Sequence, residues 1–253
     1  MKNRCLVTLA LSAAVLLPGS ALPVPAESVP QAQANTLAQT LPPEERGDLL
    51  MARQQYAAAI DAYSLAPKSA VVWNKIGIAY HHLAAIDEAR RDYERALLIR
   101  PNYPEAINNL GATYFAARNY KKAIKLYRNA LRLMPTSAVI AANLGTAYFA
   151  RGKYRQGIDA YRMAFHLDPN VFDDMNILPA IPGTTTAEDR AKQDYCLAEL
   201  FAQAGMEDRA IEFLRQAFDE GFTDRNRVMQ DVLFARLRTT AQFAQLMAEQ
   251  KEH

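Results

Sequence analysis

The stretch WNKIGIAY, residues 73–80, begins a pattern that returns twice at an offset of 34 residues. Its glycine and its last tyrosine recur together, as Gly111 with Tyr114 and as Gly145 with Tyr148. Three later positions repeat with the same period: Tyr93, Tyr127 and Tyr161; Ala96, Ala130 and Ala164; Pro101, Pro135 and Pro169. A period of this length is typical of a solenoid, in which each repeat packs against its neighbours.

The residue types in the pattern predict pairs of α-helices. Small residues such as Gly77 and Ala89 allow two helices to approach closely, and the aromatic residues fill the space between them. Proline lacks an amide donor and restricts the residue before it, so Pro101 and its copies end a helix. Apolar residues follow helical spacing, and no stretch alternates as a strand does. The sequence therefore predicts an all-α protein of antiparallel helix pairs.

This pattern resembles the tetratricopeptide repeat (TPR) family, with Ala141 in the slot of Trp73 as a mild departure. The resemblance implies a right-handed TPR superhelical solenoid whose concave groove binds protein segments. A shortened first repeat is also predicted, because Pro67 follows Tyr63 after four residues whereas Pro101 follows Tyr93 after eight. Its second helix is expected to be about one turn short.

The predicted organisation has five segments. Residues 1–26 form a secretory signal peptide, 27–45 a flexible linker, and 46–171 the repeat array. An inserted loop at 172–190 contains Pro179, Pro182 and Gly183. A degenerate fifth repeat and a helical cap occupy 191–253. The cap is expected to cover the last apolar face of the array with Val228, Val232, Leu233, Phe234, Leu237, Phe243 and Leu246.

The first residues indicate export. Lys2 and Arg4 precede an apolar run from Cys5 to Leu17, which is followed by small residues as in a leader. The run is shorter than the roughly 20 residues of a membrane span, so no stable membrane insertion is expected after cleavage. The predicted location is periplasmic or secreted. The cleavage site and retention of the segment as an anchor are left open.

The charge balance bears on the class of partner, and the cysteine content bears on disulfide formation. Lys plus Arg number 29 and Asp plus Glu 27; removal of Lys2 and Arg4 with the leader brings both counts to 27. A formally neutral chain gives no reason to expect a nucleic acid partner. Cys196 is the cysteine that remains, so an internal disulfide is excluded for the cleaved chain, and a buried thiol is expected.

Two asparagines mark the predicted groove. Asn109 and Asn143 occupy one repeat slot, two residues before a glycine, and the resemblance implies that they bind the main chain of a partner peptide. An asparagine amide supplies the donor and the acceptor that a peptide group requires. The alternative is that these are ordinary helix residues and that the aromatic ones pack inside the solenoid. The other predicted lining residues are Asn74, Lys75, Ile78, His81, Asn108, Ala112, Phe115, Thr146 and Phe149.

A basic stripe is the second candidate surface. Lys121, Lys125, Arg128 and Arg132 fall on one helix face, and residues 119–134 contain no acidic residue. Such a stripe can dock an anionic partner. The alternative is a solvated outer face.

No motif for catalysis, a metal or a cofactor is present in the sequence. It contains no HExxH, no paired CxxC, no glycine-rich phosphate loop and no G-x-S-x-G, and His81 and His82 are adjacent rather than four apart. We therefore predict a non-catalytic scaffold of the bacterial envelope that binds a protein or peptide partner and needs no cofactor. The alternatives are an assembly factor that tethers envelope complexes by its outer or end surfaces, and a metal-dependent or hydrolytic enzyme with an unrecognised site. The sequence leaves the partner, the pathway and the oligomeric state open.

Overall fold

The computed structural model describes residues 40–172 and 186–249. The predicted leader, the linker up to residue 39 and the loop from 173 to 185 lie outside these ranges. Within them every regular element is a helix, which confirms the predicted all-α class. The helices are α1 Pro43–Ala52, α2 Tyr56–Ser64, α3 Ala70–His82, α4 Ile86–Ile99, α5 Pro104–Ala116, α6 Tyr120–Leu133, α7 Ala138–Ala150, α8 Tyr154–Leu167, α9 Ala187–Gln203, α10 Glu207–Asp219, α11 Arg225–Gln230 and α12 Ala241–Glu249, with 3-10 helices at Val232–Phe234 and Leu237–Thr239.

Consecutive helices pair through three-residue turns in the first of two units, which ends at Asn143. The pairs are α1 with α2, α3 with α4, and α5 with α6. The second helix of the first pair has 9 residues, whereas α4 and α6 have 14 each. Because α2 is short, the first repeat starts 30 residues before the next one, from Gly47 to Gly77.

A tyrosine of each second helix packs on a glycine of the first helix, sixteen residues earlier. A Cβ atom built on Gly77 would lie 2.6 Å from the Tyr93 ring, closer than any real contact. These rings are almost completely buried, so they cannot move aside. The other three pairs are Gly47 with Tyr63, Gly111 with Tyr127 and, in the second unit, Gly145 with Tyr161, with corresponding distances of 2.3, 2.7 and 2.3 Å.

The turn inside each repeat holds one residue in the left-handed region. At Ala84, φ is 57°, and the amide of the next residue, Ala85, donates to the Tyr80 carbonyl at 3.0 Å. This bond satisfies a carbonyl at the end of α3 in the manner of a Schellman motif. The same position is held by Gln54, Arg118, Gly152 and Gly205, with φ of 59°, 57°, 72° and 78°.

The second unit, described at 144–172 and 186–249, is built around a row of aromatic rings. Successive ring centroids along Phe149, Tyr161, Phe172, Phe201 and Phe213 lie 5.0, 5.0, 6.0 and 5.3 Å apart. Four of these rings come from α7, α8, α9 and α10, so the row fixes helices on both sides of the segment 173–185. Helix α9 begins at Ala187, so the last four residues of the predicted 172–190 loop are helical.

Residues 225–249 of this unit bury six apolar side chains: Val228, Phe234, Leu237, Phe243, Leu246 and Met247. Val232 was expected among them but is 80% exposed. It starts a one-turn 3-10 helix whose last residue, Phe234, points inward instead. As for membranes, none of the helices in the described ranges combines the length and the apolar character that a membrane span requires.

Candidate protein-interaction surfaces

The predicted groove residues include four asparagines of the first unit whose side chains join three helices. Asn143 on α7 donates its amide to the Oδ1 atom of Asn108 on α5 at 3.0 Å. Asn108 donates to its neighbour Asn109 at 3.2 Å, and Asn109 donates to Oδ1 of Asn74 on α3 at 3.1 Å. The amides thus form one continuous row, which we call the asparagine row.

The asparagine row differs from the expected ladder in its connectivity. Asn109 and Asn143 do not bond to each other; Asn108 links them, and Asn74 ends the row. The roles of Asn74 and Asn108 were missed, although their spacing of 34 residues was visible in the sequence. All four side chains are buried, so in this structure the amides bind each other inside the protein.

The asparagine row ends at a donor that has no acceptor of normal hydrogen-bond geometry. The Nδ2 atom of Asn74 and the hydroxyl of Tyr103 are both buried and lack such a partner within the described part of the chain. The two groups are neighbours: burial raises the pKa of Tyr103, and the nearby Asn74 amide opposes that shift. Burial of polar groups without well-formed bonds is costly, so these atoms are candidates for contact with water or with a ligand.

Most other predicted lining residues pack inside the protein. Ile78 and Ala112 are fully buried beside the glycines of their repeats, and Thr146 bonds to the Tyr161 hydroxyl at 2.8 Å. Phe149 is also fully buried and belongs to the aromatic row. These four side chains therefore follow the alternative of internal packing. Phe115 is half-buried and lies 5.3 Å from the Tyr120 ring.

Lys75, the remaining charged candidate, connects α3 to α1. Its ammonium group binds Glu44 at 2.8 Å and Asp48 at 2.7 Å. Burial acts to lower the pKa of Lys75, but the bonds to the two carboxylates outweigh it, and the pKa is raised. Lys75 is therefore a positive charge already neutralised within the protein.

His81 is a buried neutral imidazole. Burial and the adjacent His82 lower its pKa to about 4. His82 stacks on the Tyr56 ring with a centroid distance of 4.5 Å, so the two histidines point to different surroundings. In the ranges that the structure covers, no three His, Cys, Asp or Glu side chains are grouped closely enough to hold a metal ion.

The basic stripe lies on the exposed side of α6. Lys121, Lys125, Arg128 and Arg132 are all exposed, and none of them forms an ion pair with a described residue. Arg132 donates to Asn129 at 2.9 Å on the same helix. The structure thus leaves these four charges open to solvent.

A partly buried polar cluster was missed in the second unit. The Tyr195 hydroxyl donates to Asp231 at 2.7 Å, and Arg227 lies 3.6 Å from Glu199. Burial, followed by a bond to Asp231, raises the pKa of Glu199 to about 7. Glu199 is therefore partly protonated at neutral pH. Burial acts to raise the pKa of Asp231, but the hydrogen bonds that Asp231 accepts, first from Tyr195, outweigh burial and lower this pKa. Burial also raises the pKa of Cys196 to about 11, so this thiol is a weak nucleophile at neutral pH.

Comparison with known proteins supports the repeat pattern. The tetratricopeptide repeat model matches residues 68–136 and 103–169, which together span 68–169. Curated proteins yield no match to this sequence.

Solved structures with similarity to this chain include the following three. The APC/C hetero-tetramer Cut9–Hcn1 is 18% identical with a TM-score of 0.52, over 81% of this chain and 37% of that one. A thermophilic TPR protein of Thermus thermophilus is 18% identical with a TM-score of 0.49, over 83% and 99% of the two chains. A structure of MamA from AMB-1 is 21% identical with a TM-score of 0.49, over 71% and 98%. At 18% identity and a TM-score of 0.52, the first of these indicates similarity of fold alone.

Proposed function

We propose that this protein is a non-catalytic tetratricopeptide repeat scaffold, which binds an extended segment of a partner protein along the first helices of its repeats. The observation that carries the proposal is the asparagine row across α3, α5 and α7. Amides repeated along successive helices match the repeated peptide groups of an extended chain, with little dependence on its side chains.

The Nδ2 atom of Asn74 supplies the first contact in this proposal. Within the protein it lies beside the Tyr103 hydroxyl, and on binding it would donate to a carbonyl group of the ligand. The buried Tyr103 hydroxyl is a second polar group with which the ligand could form a hydrogen bond. Because the row is buried, the ligand must expose it on binding, so association is expected to be slower than for a preformed open surface.

The test is affinity capture from an envelope extract with the full chain and with the double variant Asn109→Ala, Asn143→Ala. We expect the variant to lose a protein that the wild type captures. Asn109→Ala takes a partner from Asn108 and from Asn74, and Asn143→Ala takes one from Asn108. Each buried group left unpaired costs about 1–3 kcal/mol, so folding must be checked by circular dichroism. Tyr161→Phe is the control, because it breaks a buried hydrogen bond, to Thr146, without changing any asparagine of the row. Equal capture by the double variant would contradict the proposal that the asparagine row binds the partner.

We also propose that the protein is exported, since residues 1–26 have the form of a signal peptide. Intact mass and cell fractionation test this directly. A shortened protein in the soluble envelope fraction is expected; a full-length protein in the membrane fraction would indicate that the segment is a retained anchor.

The enzymatic alternative is tested by metal analysis of the purified protein. A scaffold is expected to contain no stoichiometric metal. A bound metal at one equivalent would favour a site that involves residues outside the described ranges.

A further inference from the structure

We propose that the basic stripe on α6 is a second docking surface, which binds an acidic helical segment of a partner protein. Lys121, Lys125, Arg128 and Arg132 are spaced by four, three and four residues, the spacing that keeps side chains on one helix face. At a rise of about 1.5 Å per residue, the stripe is roughly 16 Å long. This surface is separate from the asparagine row and does not depend on it.

The charge of α6 sets it apart from the equivalent helix of the preceding repeat. Between Tyr120 and Leu133 there are five basic residues and no acidic one, whereas Ile86–Ile99 holds three basic and four acidic residues. The helix charges are therefore +5 for α6 and −1 for α4. The repeat architecture does not itself require a basic helix at this position.

In α4 the arginines are neutralised within their own helix. Arg90, Arg91 and Arg95 each bind a carboxylate three residues earlier, at 2.6, 2.8 and 2.5 Å. In α6 nothing of this kind occurs among the described residues. Like charges three and four residues apart repel each other on a helix, so a partner that brings carboxylates would relieve a repulsion that the free protein tolerates.

Lys122, on the same helix, has an intramolecular partner and so contrasts with the basic stripe. Its ammonium group binds the Tyr114 hydroxyl at 2.6 Å and lies 3.9 Å above the ring. The four residues of the basic stripe have no such contact with an aromatic ring or a carboxylate in the described part of the chain. They are left available for an external anion.

The arrangement favours a protein helix over an extended anionic surface. The charges form a single row, and a helix with glutamates at positions i, i+4, i+7 and i+11 repeats the spacing of the stripe. A broad anionic surface is better matched by basic residues spread over several helices, but α4 exposes Asp87 and Glu88. Charge complementarity therefore points to a narrow acidic segment.

The test measures binding of two synthetic helical peptides to the full chain by fluorescence anisotropy. One carries glutamates at i, i+4, i+7 and i+11, and the other has the same composition with glutamates distributed around the helix. We expect the aligned peptide to bind at least about tenfold more tightly, with an affinity that falls as salt is raised.

Matched variants separate the basic stripe from general charge. Lys125→Gln with Arg128→Gln should remove the preference for the aligned peptide, whereas Arg90→Gln with Arg91→Gln, which makes the same change of net charge on α4, should retain it. Asn109→Ala with Asn143→Ala should also retain it, because the two surfaces are independent. Equal binding of the two peptides would overturn the proposal. The proposal would also be overturned if the protein bound phosphatidylglycerol vesicles in preference to the peptide and if Lys125→Gln with Arg128→Gln abolished this vesicle binding.

Discussion

The hydroxyl of the repeat tyrosine has a different environment in each repeat. Tyr63 donates to Asp48, and Tyr161 bonds to Thr146. Asp48 and Thr146 each follow the repeat glycine directly. In the second repeat that slot holds Ile78, and the Tyr93 hydroxyl is buried without a partner among the described residues. In these three repeats the residue after the glycine therefore determines whether the buried hydroxyl has a side-chain partner.

We predict opposite effects for the same substitution at two tyrosines. Tyr93→Phe removes an unpaired buried hydroxyl and should raise the free energy of unfolding by about 1 kcal/mol. Tyr161→Phe removes a hydrogen-bonded hydroxyl and should lower it by about 1 kcal/mol, because Thr146 loses its partner. Urea denaturation of the two variants provides the comparison. A loss of stability in Tyr93→Phe would mean that its hydroxyl is bonded after all.

A second prediction concerns the left-handed turn residues. Ala84 has a φ of 57°, a region in which a Cβ atom is unfavourable and glycine is not. Ala84→Gly should therefore stabilise the protein by about 0.5–1 kcal/mol and raise the midpoint of thermal unfolding. Ala79→Gly, within the regular part of α3, is the control and should destabilise it. Lower stability for Ala84→Gly would contradict the left-handed geometry.

Within a helix pair, the contact between glycine and tyrosine sets how closely the two helices approach. Gly111→Ala gains helix propensity but places a Cβ atom 2.7 Å from the buried Tyr127 ring. We expect a net loss of about 2 kcal/mol, since the ring has no space to move. Tyr127→Leu will also destabilise, but the combined variant should lose less than the sum of the two. Additive losses in this double-mutant cycle would show that Gly111 is required for another reason.

The helix pairs were predictable because their residues act locally and repeat. Gly77, Tyr93 and Pro101 each recur with the same period, so the structural role of each position could be predicted from spacing alone. The direction of the bonds in the asparagine row could not be predicted from spacing. Asn108 and Asn109 are adjacent, so either side chain could bond to an asparagine of the next repeat. The exposure of Val232 also escaped prediction, because a 3-10 turn has no sequence period that distinguishes it from the helices around it.

Across the whole molecule, the two units should respond to pH in opposite ways. In the first unit, the folded-state pKa of His81 is lowered to about 4, so its contribution to stability is lost as pH falls below the unfolded value of about 6.5. In the second unit, burial raises the pKa of Asp194 and of Glu199 to about 7. Their contribution is present below the unfolded values near 4 and is lost as pH rises toward 7.

Native-state hydrogen exchange, corrected for the intrinsic rates, measures this difference. Between pH 8 and pH 5.5 we expect amides of the second unit to gain protection of about 1 kcal/mol, after allowance for the partial exposure of both carboxyl groups. Amides of the first unit should lose about 1 kcal/mol. Glu199→Gln should reduce the pH dependence of the second unit alone. A parallel change in both units would contradict the assignment.

The sixteen-residue interval between each glycine and its tyrosine also bears on how such a chain can grow. Because both members of the contact belong to the same repeat, a duplicated segment such as 70–103 would carry its own glycine, its own tyrosine and the turn between them. An unequal crossover in the gene that adds or removes 34 codons would thus deliver a complete unit rather than a broken one. The array can therefore gain or lose complete repeats in evolution, and each added repeat would keep the same glycine–tyrosine contact.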